Sequence, residues 1–158
     1  MKKFLIICIS IFLSTLLLVG CGKKSSHFID DIIKYVDKQE TSETIVVQLS
    51  SFTDFNWDKV IVFGPMAPKK DIEEKANVTI TEEIDIFGGI YFFDKEKLVH
   101  KEYFEETFDG DFKFKIKPYS KYNPQSRFII LEKDDAIFQC VKIKDNNENS
   151  YVLFPYEK

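Results

Sequence analysis

The sequence predicts an α+β fold: an N-terminal helix packed on a curved, mainly antiparallel sheet of about seven or eight strands. Two observations carry this. Apolar residues recur once at helical spacing, between Phe28 and Val36, and then alternate with period two along most of the remaining chain. The alternating runs are short and separated by polar, Gly-, Pro- or Asp-containing segments, as strands and turns are. One helix followed by a succession of short strands is the α+β pattern.

In chain order, "SSHFIDDIIKYVDKQ" places Phe28, Ile29, Ile32, Ile33 and Val36 on one stripe of a helix. Ser26 suits its cap, Asp30 and Asp31 suit its positive end, and Lys34 and Lys38 its negative end. "TIVVQLS" alternates around Ile45, Val47 and Leu49, whereas "KVIVFG" is apolar on both faces and reads as a central strand. Pro65 and Pro68 interrupt the chain, and "PKKDIEEKA" is predicted as a short surface helix starting from Pro68. Gly88-Gly89 reads as a bend or bulge. "GGIYFFDKEKLVHKEYF" reads as a hairpin turning near Asp94 to Lys97. "FKFKIK" sets Phe112, Phe114 and Ile116 against Lys113, Lys115 and Lys117, the pattern of an edge strand whose outward lysines block aggregation. "RFIILEKDDAIFQCVKI" is expected to be a second hairpin turning at Asp134 and Asp135, and "KDNNENS" a further turn into "YVLFP".

The segment ahead of these elements has a different character. Met1, Lys2 and Lys3 form a positive end, and Phe4 to Leu18 is almost wholly apolar. Small residues then lead to Cys21. This is the order of a secretory signal. The run is shorter than the roughly 20 apolar residues a spanning helix wants. Leu18-Val19-Gly20-Cys21 resembles the lipobox of bacterial lipoprotein precursors. The resemblance implies a diacylglyceryl thioether on Cys21, with diacylglycerol and palmitate as the anchoring lipids, and cleavage between Gly20 and Cys21. A thiolate is the strong nucleophile such a step needs, and two acyl chains hold where one binds only marginally. An uncleaved anchor carrying an incidental cysteine is the alternative. The expected organisation is therefore a lipoprotein signal peptide over 1–20, a lipidated cysteine with a short tether over 21–26, and one extracytoplasmic α+β domain over 27–158. Five tether residues reach roughly 17 Å when fully extended. That keeps the domain beside the outer face of the cytoplasmic membrane.

Loss of residues 1–20 removes Lys2 and Lys3 and no acid, so the formal charge moves from −4 to −6. An acidic exported body argues against nucleic acid as a partner. Lys23 and Lys24, beside the anchor, read as a solvated flank or as a lipid head-group contact. With Cys8 in the signal and Cys21 lipidated, only Cys140 remains, so no internal disulfide forms and a buried, inert thiol is expected. Abundant Lys and Ile with the single Arg127 fit an AT-rich genome and a Gram-positive cell.

Chemistry-bearing constellations are few. His27 and His100 lack the cysteine pair of a zinc site, and His100 reads most simply as a structural or surface residue; a triad needs a base near a nucleophile, which two isolated histidines disfavour without excluding. Asp145, Asn147 and Asn149 have the spacing of a calcium loop's first ligands. The turn glycine is replaced by Ser150, and Tyr156 stands where a bidentate Glu belongs, so a polar turn is the reading. Asp109 and Asp111 flank Gly110 in another turn. The sequence points to no cofactor, no metal and no catalytic residue.

The most distinctive stretch is "FTDFNWDKVIVFGPMAP", with Trp57 among Phe52, Asp54, Phe55, Asn56 and Asp58. It resembles a stretch of small, uncharacterised lipoproteins of Gram-positive bacteria, in which a Trp-Asp pair precedes an apolar strand and a Gly-Pro turn. The resemblance implies the class and no activity. Trp57, Asp54, Asn56 and Asp58 could contact a sugar or peptide; they could equally pin a long loop to the core, with Asp54 or Asp58 capping backbone amides. The sequence favours the staple. The functional expectation is a membrane-anchored, monomeric, non-catalytic binding, sensing or immunity-type module. Its partner beyond the membrane would be an envelope protein or a wall polymer. A cell-envelope hydrolase and an envelope assembly or scaffold lipoprotein are the alternatives.

Overall fold

The computed structural model describes residues 28–39, 44–84, 88–104, 112–119, 126–145 and 148–156. Expectations that fall elsewhere, among them Cys21 and its lipobox, the Ser26 cap, His27, the Asp109–Asp111 turn and Asn147, lie outside the described residues. Helix α1 (Phe28–Asp37) is followed by β1 (Ile45–Gln48), β2 (Lys59–Phe63), helix α2 (Lys69–Ala76), β3 (Gly89–Asp94) and β4 (Lys97–Tyr103). Then come β5 (Phe114–Ile116), β6 (Phe128–Glu132), β7 (Ile137–Asp145) and β8 (Glu148–Pro155). The α+β class, the eight strands and the dominance of antiparallel pairing all hold.

The strands do not form one sheet. They divide into two four-stranded sheets, β1-β7-β8-β5 and β4-β3-β2-β6. The second hairpin is the reason for the difference: β6 and β7 are not partners. β6 pairs with β2, and β7 pairs with β1 and β8. Between them a single 3-10 turn (Lys133–Asp135) carries the chain across. On one side of that turn the Lys133 amide donates to the Asp58 carbonyl (2.8 Å), at the start of β2; on the other, the Ala136 carbonyl accepts from the Leu49 amide (3.0 Å), at the end of β1. Period-two alternation is identical on either side of a hairpin and of such a crossover, so the pattern alone cannot separate them.

The inner faces of both sheets and α1 share one core. Phe28, Ile32, Ile33 and Val36 of the helix stripe are buried there with Val47, Val60, Val62, Ile90, Phe92, Phe114, Phe138 and Leu153. The opposite face of β2 and β3 is covered by α2, where Ile61, Phe63, Tyr91 and Phe93 meet Ile72 and Ala76. This is why "KVIVF" is apolar on both faces: β2 is central and covered on each side. Asn77 ends α2 in the left-handed region (φ 52°) with its amide on the Glu73 carbonyl, and the Lys59 ammonium donates to the Ala76 carbonyl at 2.8 Å. Gly88 has φ +95°, and a Cβ there would sit 2.6 Å from the Phe63 carbonyl oxygen, so only glycine fits. The bulge itself lies further on, where the β3–β4 register slips between Phe92 and Phe93.

The first-sheet edge departs from expectation in one residue. β5 is an edge strand, and it runs parallel to β8. Lys113 is exposed, but Lys115 is only 7 % exposed. Lys115 stands beside Val152 in the register, and its ammonium lies 5.0 Å from the Phe112 ring centre. A long aliphatic stem lets a lysine cover apolar surface in this way, which strict alternation does not anticipate.

Candidate functional site

Gln48 ends β1, and a 3-10 turn (Leu49–Ser51) opens the connection that carries Trp57 to β2. Trp57 is 4 % exposed. Its indole meets the Phe92 ring edge-on at 5.0 Å, and its Nε1–H donates to the Thr53 hydroxyl at 2.8 Å. The Lys133 ammonium lies 5.4 Å from the indole centre. Phe92 is a hub, because Phe28 and Phe55 also pack edge-on against it, each at 5.3 Å. Phe52 in turn contacts Tyr35 of α1 at 5.3 Å. The aromatics of this connection therefore tie α1 and β3 together from inside.

Asp58 completes the staple through three bonds. Its amide donates to the Phe93 carbonyl (2.9 Å), its carbonyl accepts from Lys133, and its carboxylate Oδ2 accepts the Lys95 amide at 2.9 Å. Lys95 stands at the tip of the β3–β4 hairpin with φ 59°, so Asp58 caps a strained turn. Asp54 and Asn56 are exposed. Of the four residues singled out from the sequence, Trp57 and Asp58 serve the fold, and Asp54 and Asn56 face solvent without joining them.

Two groupings emerge that the sequence reading did not assemble. On β4, His100 Nε2 and Glu102 Oε1 are 3.0 Å apart, both about four-fifths covered, with Phe55 lying 4.8 Å from the imidazole. They are two residues apart on one strand and so share a face, a signal period two does carry. A histidine held by a carboxylate is an oriented base, but nucleophilic catalysis also needs a hydroxyl or thiol beside it. Among the described residues the one thiol is elsewhere: Cys140 is buried on β7, and burial pushes its pKa up to about 11. The second grouping joins α1 to the first sheet. Asp37 Oδ1 accepts from the Lys142 ammonium and from the Tyr151 hydroxyl, both at 2.7 Å. The Lys142 bond, then the Tyr151 bond, hold the Asp37 carboxyl below the ordinary carboxylate range. Burial, reinforced by Asp37, raises the Tyr151 phenol to about 12. Asp37 lies more than a hundred positions from both partners, so no local pattern could link it to them.

Among the described residues, no three His, Cys, Asp or Glu side chains cluster as a metal site. No helix among them is long and apolar enough to cross a membrane. No protein-family model, curated protein or solved structure matches the chain.

Proposed function

We propose that this chain is a lipid-anchored protein of the outer face of the cytoplasmic membrane, acting as a non-catalytic binding, sensing or immunity-type module. The observation that carries the reading is Leu18-Val19-Gly20-Cys21 directly after an apolar segment with a lysine-bearing start. Cleavage ahead of Cys21 leaves six residues between the lipidated cysteine and Phe28. Phe28 is already a core residue, 1 % exposed. Such a tether keeps the folded body within roughly 20–25 Å of the bilayer. The partner then lies within the membrane-proximal envelope, as a protein or a wall polymer. Metabolic labelling with an alkyne fatty acid tests the anchor. The wild-type chain should incorporate label and lose residues 1–20; Cys21→Ser should do neither. An unmodified Cys21 thiol in the mature protein would refute the proposal.

The hydrolase alternative has one specific observation in its favour, the His100–Glu102 pair. It requires that His100→Ala abolish an envelope-cleaving activity of the chain while the fold survives.

A further inference from the structure

Among the described residues the two sheets leave four edges, and three of them are blunted. β1 is four residues long, and β5 is three residues long and follows directly on exposed Lys113. β4 presents Lys97, His100, Lys101 and Glu102 and is bent by the bulge opposite Phe92 and Phe93. Short length, charge and bulging are the usual protections of a sheet edge. β6 has little of them: "FIILE" is apolar over four successive positions, and Phe128, Ile129, Ile130 and Leu131 are each partly exposed.

The register shows which groups this edge offers. Gly64 donates to the Arg127 carbonyl and Lys133 donates to the Asp58 carbonyl, so residues 127, 129, 131 and 133 turn their backbone groups toward β2. By alternation, Phe128, Ile130 and Glu132 turn theirs away. The Ser126 hydroxyl donates to the Phe128 carbonyl at 2.6 Å, a local cover for one of them. Among the described residues no strand pairs with this side of β6. Among the described residues, β6 thus offers main-chain donors and acceptors that no strand takes up, with the Phe128 carbonyl met only by Ser126, and it carries apolar side chains on both faces of a sheet that is itself covered on both faces.

We infer that β6 docks a second copy of this chain, strand against strand, about a two-fold axis through Ile130. The sequence is self-complementary in that register. Ile130 meets Ile130 of the other copy, Ile129 meets Leu131, and about six main-chain bonds form from Phe128, Ile130 and Glu132 of the two strands. The antiparallel sense also sets the Arg127 end of one strand toward the Glu132–Asp135 end of the other, whereas a parallel sense would bring like ends together. Lys133, which falls opposite Arg127 in this register, directs its ammonium over the Trp57 ring. A five-residue edge buries less than the roughly 1,200 Å² of a stable interface, so the dimer is weak in dilute solution and favoured at high local concentration. The inference does not depend on the lipid anchor.

Glu132 offers a clean perturbation. It is exposed, its φ is −71°, and its amide points outward, so proline fits without strain in the monomer but removes one interface bond per copy and places a ring there on each side of the axis. The full chain, purified in detergent, is followed by sedimentation over a wide concentration range, and exchange at the Ile130 amide is followed by NMR. Wild type and Glu132→Ala should both reach a dimer, with the Ile130 amide becoming protected as concentration rises. Glu132→Pro should weaken association at least about tenfold while melting like Glu132→Ala in dilute solution. Ile130→Lys, which puts two cations on the axis, should abolish association. A wild type that stays monomeric, a dimer that Glu132→Pro leaves intact, or open-ended growth beyond a dimer would overturn the inference.

Discussion

Trp57→Ala is the perturbation that most directly tests the staple. The indole is 4 % exposed, and an aromatic side chain buries about 150–250 Å², worth roughly 4–6 kcal/mol at about 25 cal/mol per Å². That is an upper bound, because a real unfolded chain already buries part of this surface. Measured Trp-to-Ala truncations in cores cost about 3–5 kcal/mol, which includes the cavity left behind. The Thr53 hydroxyl also loses its donor, and Phe92 loses one of the rings packed around it. For a chain of this size, 3–5 kcal/mol lowers the melting temperature by roughly 6–20 °C. Urea denaturation read by circular dichroism gives the free energy, with the slope checked for two-state behaviour. Trp57→Phe should retain part of the contact and lose less. Because the chain holds a single tryptophan, acrylamide quenching reports this site alone, and wild-type emission should be blue-shifted and poorly quenched. Strong quenching together with a change below about 0.5 kcal/mol would mean an exposed platform. Asp54, Asn56 and Asp58 would then become ligand contacts.

Two further outcomes follow from side chains described above. Asp37 has a folded pKa below its ordinary 3.8, so its contribution is full above that value and is lost as pH falls through 3.8 toward the folded value. Acid titration of stability should therefore show a steeper limb in wild type than in Asp37→Asn, and equal slopes would refute the latch between α1 and β7–β8. Cys140, with its thiol raised to about 11, should resist iodoacetamide at pH 8 in the native protein and label fully in urea, read by peptide mass mapping. Fast native labelling would show that β7 opens locally.

The helix stripe was legible because Phe28, Ile32, Ile33 and Val36 could be buried together only on one face of a helix. "KVIVF" declared a central strand by lacking a polar face, and "GGIYFFDKEKLVHKEYF" declared a hairpin turning near Asp94 to Lys97, where the structure places a two-residue turn. The fate of Trp57 was legible in part. Aromatics bury large areas, so the staple was favoured, but Phe92 as the common partner lies 35 positions away and no local rule names it. Asp58 illustrates the same limit: its carboxylate could be expected to cap an amide, and the fold chose Lys95.

The sequence by itself determined the class of the fold, the type of nearly every element, the burial of Cys140 and the resemblance around Cys21. These depend on composition and on spacing within one turn or one strand, which the chain carries locally. Only the tertiary structure decided that β6 and β7 belong to different sheets, that Asp37 finds Lys142 and Tyr151, that His100 faces Glu102 beside Phe55, and that Lys115 is covered. A one-dimensional period specifies which side of a strand is apolar, but not which strand lies beside it. Where the chain passes from one sheet to the other, the Leu49–Ala136 and Lys133–Asp58 bonds join residues 87 and 75 positions apart, a separation no local period can specify.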